Sequence, residues 1–74
     1  MAILNRVHLN GLRAVETVAR LGSLAAAANE LNVSASAVSQ QIMRTEKQLG
    51  QALFERTPSG LVPTEFGAVF TARL

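Results

Sequence analysis

The stretch SASAVSQQIMRTEKQLG, residues 34–50, sets Ser36, Ser39, Gln40, Met43, Arg44 and Lys47 across a helix from Val38, Ile42 and Leu49. A solvated helix face usually mixes Glu with Lys. Here uncharged hydroxyl and amide groups donate and accept hydrogen bonds, a thioether offers apolar contact, and two cations flank them. In a lone helix these residues would read as ordinary exposed surface. Their meaning therefore depends on the elements that hold them.

Those elements are short and sharply punctuated. A first helix is predicted from about 9 to 20, starting at His8 or Leu9, with Leu12, Val15 and Ala19 inward and Arg13, Glu16 and Arg20 outward. Gly22 closes it, and Ser23 caps a second helix, about 24–31, whose LAAAANEL is almost all small residues. The Ala25–Ala28 run reads as close helix packing. Only Asn32 and Val33 precede Ser34, the cap of the third helix. Asn32 suits the left-handed closing position, and Val33 and Val38 have the spacing of a hydrophobic staple. The third helix, about 35–49, ends at Gly50 and is a rod of roughly 20 Å.

After Gly50 the periodicity shortens. QALFERT, PSG and LVPT predict a small two-stranded wing over about 51–63, with Pro63 on an edge. Thr64 caps a last helix, about 65–74, whose Phe66, Val69 and Phe70 form an apolar stripe.

Composition narrows the function classes. Seventy-four residues make a single small domain, 1–74, that buries about 60% of its unfolded surface, too little for a roomy active site. The chain has no Cys, Trp, Tyr or Asp, and one His. No nucleophile, base and orienting group recur at a catalytic spacing, so no catalytic, cofactor or metal residues are expected. His8 reads as a surface or cap residue. The formal charge is +2, every cation but Lys47 is Arg, and the sequence pI is about 10.6, which fits an anionic partner. Nothing approaches the roughly 18 apolar residues of a membrane span, and MAILNRVHLN lacks a secretion-signal core. A cytoplasmic chain without membrane contact is expected.

Two helices joined by so tight a turn form a helix-turn-helix, whose second helix lies in the DNA major groove. A face of Ser, Gln and Met can then bond base edges or meet a thymine methyl, where a Glu-rich face would be repelled by phosphates. The fold class is mainly α: a three-helix core, a small wing and the start of a linker helix. Duplex DNA is the expected partner. A winged-helix module that binds protein without reading DNA is the rival.

From LRAVETVARLGSLAAAANELNVSASAVSQQIMRTEKQLGQALFERTPSGLVPTEFG, the chain resembles the N-terminal domain of LysR-type transcriptional regulators along nearly its whole length. The landmarks are Leu12-Arg13, Gly22-Ser23, Ala27-Ala28, Leu31, Val33-Ser34, Ala37-Val38-Ser39, Ile42, Glu46, Leu49-Gly50, Leu53-Phe54, Arg56, Thr64 and Gly67. The resemblance implies a regulator of roughly 300 residues, dimeric through the linker helix or tetrameric at full length. It also implies a C-terminal domain, missing here, that binds a small effector. By position it assigns DNA contact to Ser34, Ala35, Ser36, Ser39 and Gln40, with Arg56 near the wing. The polar face adds Met43 and Arg44, the wing tip Ser59, and Ser23 and Thr64 are caps that can also meet phosphate.

Several positions depart from that family's pattern. Ala35-Ser36 stands for its common Gln-Pro, Gln40 often for Arg, and Ser59 frequently for Arg. An altered or looser half-site preference is therefore expected. Thr45 replaces a usual core Leu and should weaken the third helix's packing. Pro63 replaces another Leu, and Phe66 replaces a small residue and could refill the core. Phe54, Phe66 and Phe70 read as core or dimer seam, not base-stacking platforms. Arg13 and Arg20 fit a solvated face and a phosphate contact alike.

Overall fold

The computed structural model describes residues 10–74, so His8 and the expected start near residue 9 lie outside it. Four helices and one hairpin follow in order: α1 (Gly11–Leu21), α2 (Leu24–Leu31), α3 (Ala35–Leu49), β1 (Phe54–Thr57), β2 (Gly60–Pro63) and α4 (Glu65–Ala72). This is a mainly helical, winged helix-turn-helix architecture. The last helix stops at Ala72, short of the expected 74.

Each boundary has a local chemical cause. Asn10, in extended conformation, accepts from the Arg13 N–H at 2.9 Å and caps α1, whose first residue is Gly11. Ser23, Ser34 and Thr64 cap the next three helices by accepting from Ala26, Ala37 and Gly67. Gly22, Asn32 and Gly50 close α1, α2 and α3 in the left-handed region at φ of 73°, 63° and 76°. Among the described residues Asn32 is the one non-glycine in this region, and its turn gives Val33 N–H the Ala28 carbonyl at 3.0 Å.

The core comprises Ala14, Val15, Val18, Ala27, Ala28, Val38, Ile42, Leu53 and Phe54. Ala19 is inward as expected, half-buried against the core. Two inward assignments need correction. Leu12 is 52% exposed, and the buried face of α1 is formed by Ala14, Val15, Thr17 and Val18. Leu49 is exposed, because α1 begins at the level of Thr45, one helical turn short of it. Of the alanine run only Ala27 and Ala28 are buried; Ala25 and Ala26 face solvent.

Thr45 fits its place better than expected. Its hydroxyl donates to the Gln41 carbonyl at 2.8 Å, and a Cβ on Gly11 would lie 2.1 Å from it. A glycine facing a threonine lets α1 and α3 approach closely without an orphaned hydroxyl. Buried Thr17 is treated alike, donating to the Arg13 carbonyl at 2.7 Å. Phe66 and Phe70 pack half-buried against the core, with ring centroids 6.0 Å apart.

The hairpin pairs antiparallel, Phe54 with Pro63 through Thr57 with Gly60, leaving Pro58 and Ser59 at its tip. Gly67 sits where α4 crosses under it: a Cβ there would lie 1.9 Å from the Leu53 carbonyl oxygen. Backbone occupies that space, so no rotamer change can relieve a clash. Gly67→Ala should therefore cost about 1 to 3 kcal/mol and lower the midpoint of thermal unfolding, followed by circular dichroism, by several degrees.

Candidate nucleic-acid interface

The orientation of α3 about its own axis decides which residues a partner meets. Val38, Ile42 and Thr45, spaced four and three apart, are buried against α1 and α2. Half-buried Val33 packs against the same core one residue before the cap. Ser36, Gln40, Met43 and Lys47, at the complementary helical spacing, are all exposed. Ser34, Ala35 and Arg44 are exposed as well, while Ser39 is half-buried at the edge of this face.

The hairpin stands beside α3 because polar contacts hold it there. Glu46, on the last turns of α3, accepts from the backbone N–H of Leu53 at 2.7 Å and of Phe54 at 3.3 Å. At the other strand Leu61 N–H donates to the Gly22 carbonyl at 3.2 Å. Gly60 has φ of 128°, and a Cβ there would fall 2.6 Å from that same carbonyl. Thr57 donates to the Gly60 carbonyl at 2.8 Å and closes the tip.

Between α3 and the hairpin runs a cleft of about 200 Å³ lined by Ser39, Met43 and Arg56 together with apolar Leu24, Ile42 and Leu61. A second groove of about 430 Å³ shares Leu24, Arg56 and Leu61 and adds Ser23 and Ser59. The structure thus gathers Ser23, Ser39, Met43, Arg56 and Ser59 along one furrow. Ser34, Ala35, Ser36, Gln40 and Arg44 form the adjoining outer surface of α3. Thr64 stands apart, at the opposite end of β2 from the tip. Its hydroxyl donates to the Ala52 carbonyl at 2.7 Å and accepts from Gly67 N–H at 2.9 Å, so both its bonding roles are internal.

Charge is distributed unevenly. Arg20 pairs with Glu16 at 3.0 Å and, through a two-pronged contact, with both carboxylate oxygens of Glu30. Those bonds, Glu30's first and Glu16's second, raise the Arg20 pKa above its ordinary value, and the Arg20 bond holds Glu30 below the ordinary carboxylate range. The guanidinium ties α1 to α2 and is not a free phosphate ligand. Among the described residues no carboxylate pairs with Arg44, Lys47 or Arg56. No cluster of three or more His, Cys, Asp or Glu among them could hold a metal ion, and no helix is long and apolar enough to cross a membrane.

Glu46 and Gly60 were not singled out by residue chemistry in the sequence. A glutamate seven residues from its partner gives no local signature, and Gly60 looks like a turn residue until its contact with Gly22 is seen.

Comparison with known proteins agrees with this geometry. The family model described as bacterial regulatory helix-turn-helix protein, lysR family, matches residues 9–68. The chain is 52% identical over 65 residues to the uncharacterized HTH-type transcriptional regulator y4mQ of Sinorhizobium fredii, covering 88% of this chain and 22% of the relative. It is 52% identical over 59 residues to the HTH-type transcriptional activator AmpR of Rhodobacter capsulatus, covering 80% of this chain and 20% of the relative. The chain thus spans about a fifth of the curated relatives it matches. The crystal structure of the CbnR_DBD-DNA complex superposes with a TM-score of 0.81 at 35% identity, covering 85% of this chain and 72% of that one.

The Glu46 contacts make a direct forecast. Glu46→Ala leaves two backbone N–H groups without their charged acceptor, a loss of about 1.5 to 3 kcal/mol. Amide hydrogen exchange at Leu53 and Phe54 should accelerate about tenfold or more, while amides in the middle of α1 change little.

Proposed function

The chain belongs to the lysR family of bacterial regulatory helix-turn-helix proteins, and on that premise we propose that it binds duplex DNA sequence-specifically to regulate transcription. In this reading α3 enters the major groove and the hairpin lies beside it against the sugar-phosphate backbone. One observation carries it above all: the face of Ser36, Gln40, Met43 and Lys47 is open to solvent while the opposite face is locked into the core.

The dimensions and chemistry support the assignment. A helix about 10 to 12 Å across fits a major groove about 12 Å wide. Gln40 presents an amide that can pair with adenine through two hydrogen bonds, and Ser36 and Ser39 can bond any base edge. Ser34, Ala35 and Ser36 lie where the helix N-terminus offers free N–H groups, and Ser23 does the same at α2. Arg44 and Lys47 flank the reading face, while Arg56 and Ser59 reach the backbone from the hairpin. For Thr64, whose hydroxyl bonds the Ala52 carbonyl and the Gly67 N–H, the capping role comes before phosphate contact.

The apolar stripe of α4, where Val69 is 55% exposed, suits a seam between two copies. A two-fold dimer so joined reads an inverted repeat with half-sites about one helical turn, 34 to 36 Å, apart or a multiple of it. No cofactor is assigned to this segment. Response to a small-molecule effector and assembly beyond the dimer belong, in this reading, to the longer protein of which the relatives are examples.

Selection from a random duplex pool tests the proposal: an enriched inverted repeat supports it, and no enrichment by folded protein contradicts it, leaving the protein-interaction module. Gln40→Ala should relax preference at one position of the enriched site, with a loss of about 1 to 3 kcal/mol for the preferred base and little change on scrambled duplex. Arg56→Ala should weaken binding to all duplexes alike and make the slope of log affinity against log salt shallower by about 0.9. Equal loss on specific and scrambled duplex for Gln40→Ala would remove its base-reading role.

A further inference from the structure

Between Ser36 and Lys47 the exposed face of α3 carries one apolar side chain among hydrogen-bonding and charged ones. Met43 is 57% exposed, one turn from Gln40 and beside Ser39, and it lines the cleft shared with Arg56. It belongs to no part of the core, where Val38 and Ile42 do the packing. A long thioether at the centre of a polar stripe calls for an apolar counterpart.

If α3 lies in the major groove as proposed above, the available counterparts are few. The base edges there carry acceptor nitrogens and oxygens and donor amino groups, none of which a thioether can pair with strongly. Pressing Met43 onto those groups would strip their water without replacing its hydrogen bonds. The one apolar group in the groove is the 5-methyl of thymine. A flexible, polarizable side chain can wrap such a methyl without demanding one fixed rotamer.

We infer that Met43 is a specificity-determining residue that selects thymine through its 5-methyl group. Its distance from Gln40 sets where that thymine lies. Three residues of helix advance about 4.5 Å, against about 3.4 Å per base step, so the thymine falls within one or two base pairs of the pair read by Gln40. The inference rests on the major-groove reading but is separable from it by experiment.

The test uses the duplex enriched from the random pool, with each thymine replaced singly by deoxyuridine, which removes the methyl and nothing else. The parent chain should lose about fourfold in affinity at one position, the effect of exposing one methyl. That position should lie within two base pairs of the one relaxed by Gln40→Ala. Met43→Ala should bind the thymine and deoxyuridine duplexes equally, and Met43→Leu should restore discrimination. Met43 is on the surface, so an unchanged circular dichroism melt confirms that each variant is folded. The inference is overturned if the parent chain binds every deoxyuridine duplex as it binds the original, or if Met43→Ala keeps the fourfold loss. A pool without an enriched motif overturns the underlying DNA reading, and this inference with it.

Discussion

The arrangement depends on the peptide groups around Leu53. Its N–H donates to Glu46 of α3 at 2.7 Å, its carbonyl accepts from the N–H of Thr64 at 2.9 Å, and its side chain is wholly buried. The neighbouring Ala52 carbonyl takes the Thr64 hydroxyl, and Gly67 of α4 presses against the Leu53 carbonyl itself. The end of α3, the start of the hairpin and the start of the last helix therefore meet within a few atoms. Hydrogen bonds are directional where apolar packing is not. The angle between α3 and the hairpin is consequently fixed by chemistry rather than by approximate fit.

From that node the functional surface follows. Val38, Ile42 and Thr45 fix the rotation of α3, and so turn Gln40 and Met43 outward. The Gly22 carbonyl holds the far strand, which places Arg56 and Ser59 beside α2 and α3. In the proposed DNA-binding reading, a net charge of +2 gives electrostatics a smaller share than in strongly basic domains. Arg20 is neutralised by two glutamates, leaving Arg44, Lys47 and Arg56 as the cations of this surface. If all three meet phosphates, the salt slope per copy is about −2.7, against the steeper dependence of proteins making six to ten such contacts. In the proposed reading, discrimination among sequences rests on neutral hydrogen bonding and methyl contact more than on charge.

Much of this was legible because its causes are local. Each of Gly22, Ser23, Asn32, Ser34, Gly50 and Thr64 performs the capping role that its residue type and spacing predict. The polar side of α3 was readable because burial of Val38 and Ile42 dictates what lies opposite. Periodicity gives angle about an axis but not extent along it, so it turns Leu12 and Leu49 inward although both are exposed. The cap at Asn10 was missed because Leu9 continues the apolar pattern upstream. Contacts between distant residues left no trace: Arg20 with Glu30, Glu46 with Leu53, Gly11 against Thr45. The last of these turns an expected weakness at Thr45 into a matched pair of small surfaces. The base-contact role of individual residues is a different matter, since it depends on a partner as well as on the chain.

The most direct test of the central claim, that the outward face of α3 enters the groove, is a titration of isotope-labelled chain with its enriched duplex, following backbone and side-chain resonances by nuclear magnetic resonance. The account predicts the largest shifts, with contacts between protein and base protons, at residues 34–44, smaller ones at 56–59, and little change along the outer surfaces of α1 and α4. Shifts confined to α1 or α4, with Gln40 and Met43 unmoved at saturation, would contradict it.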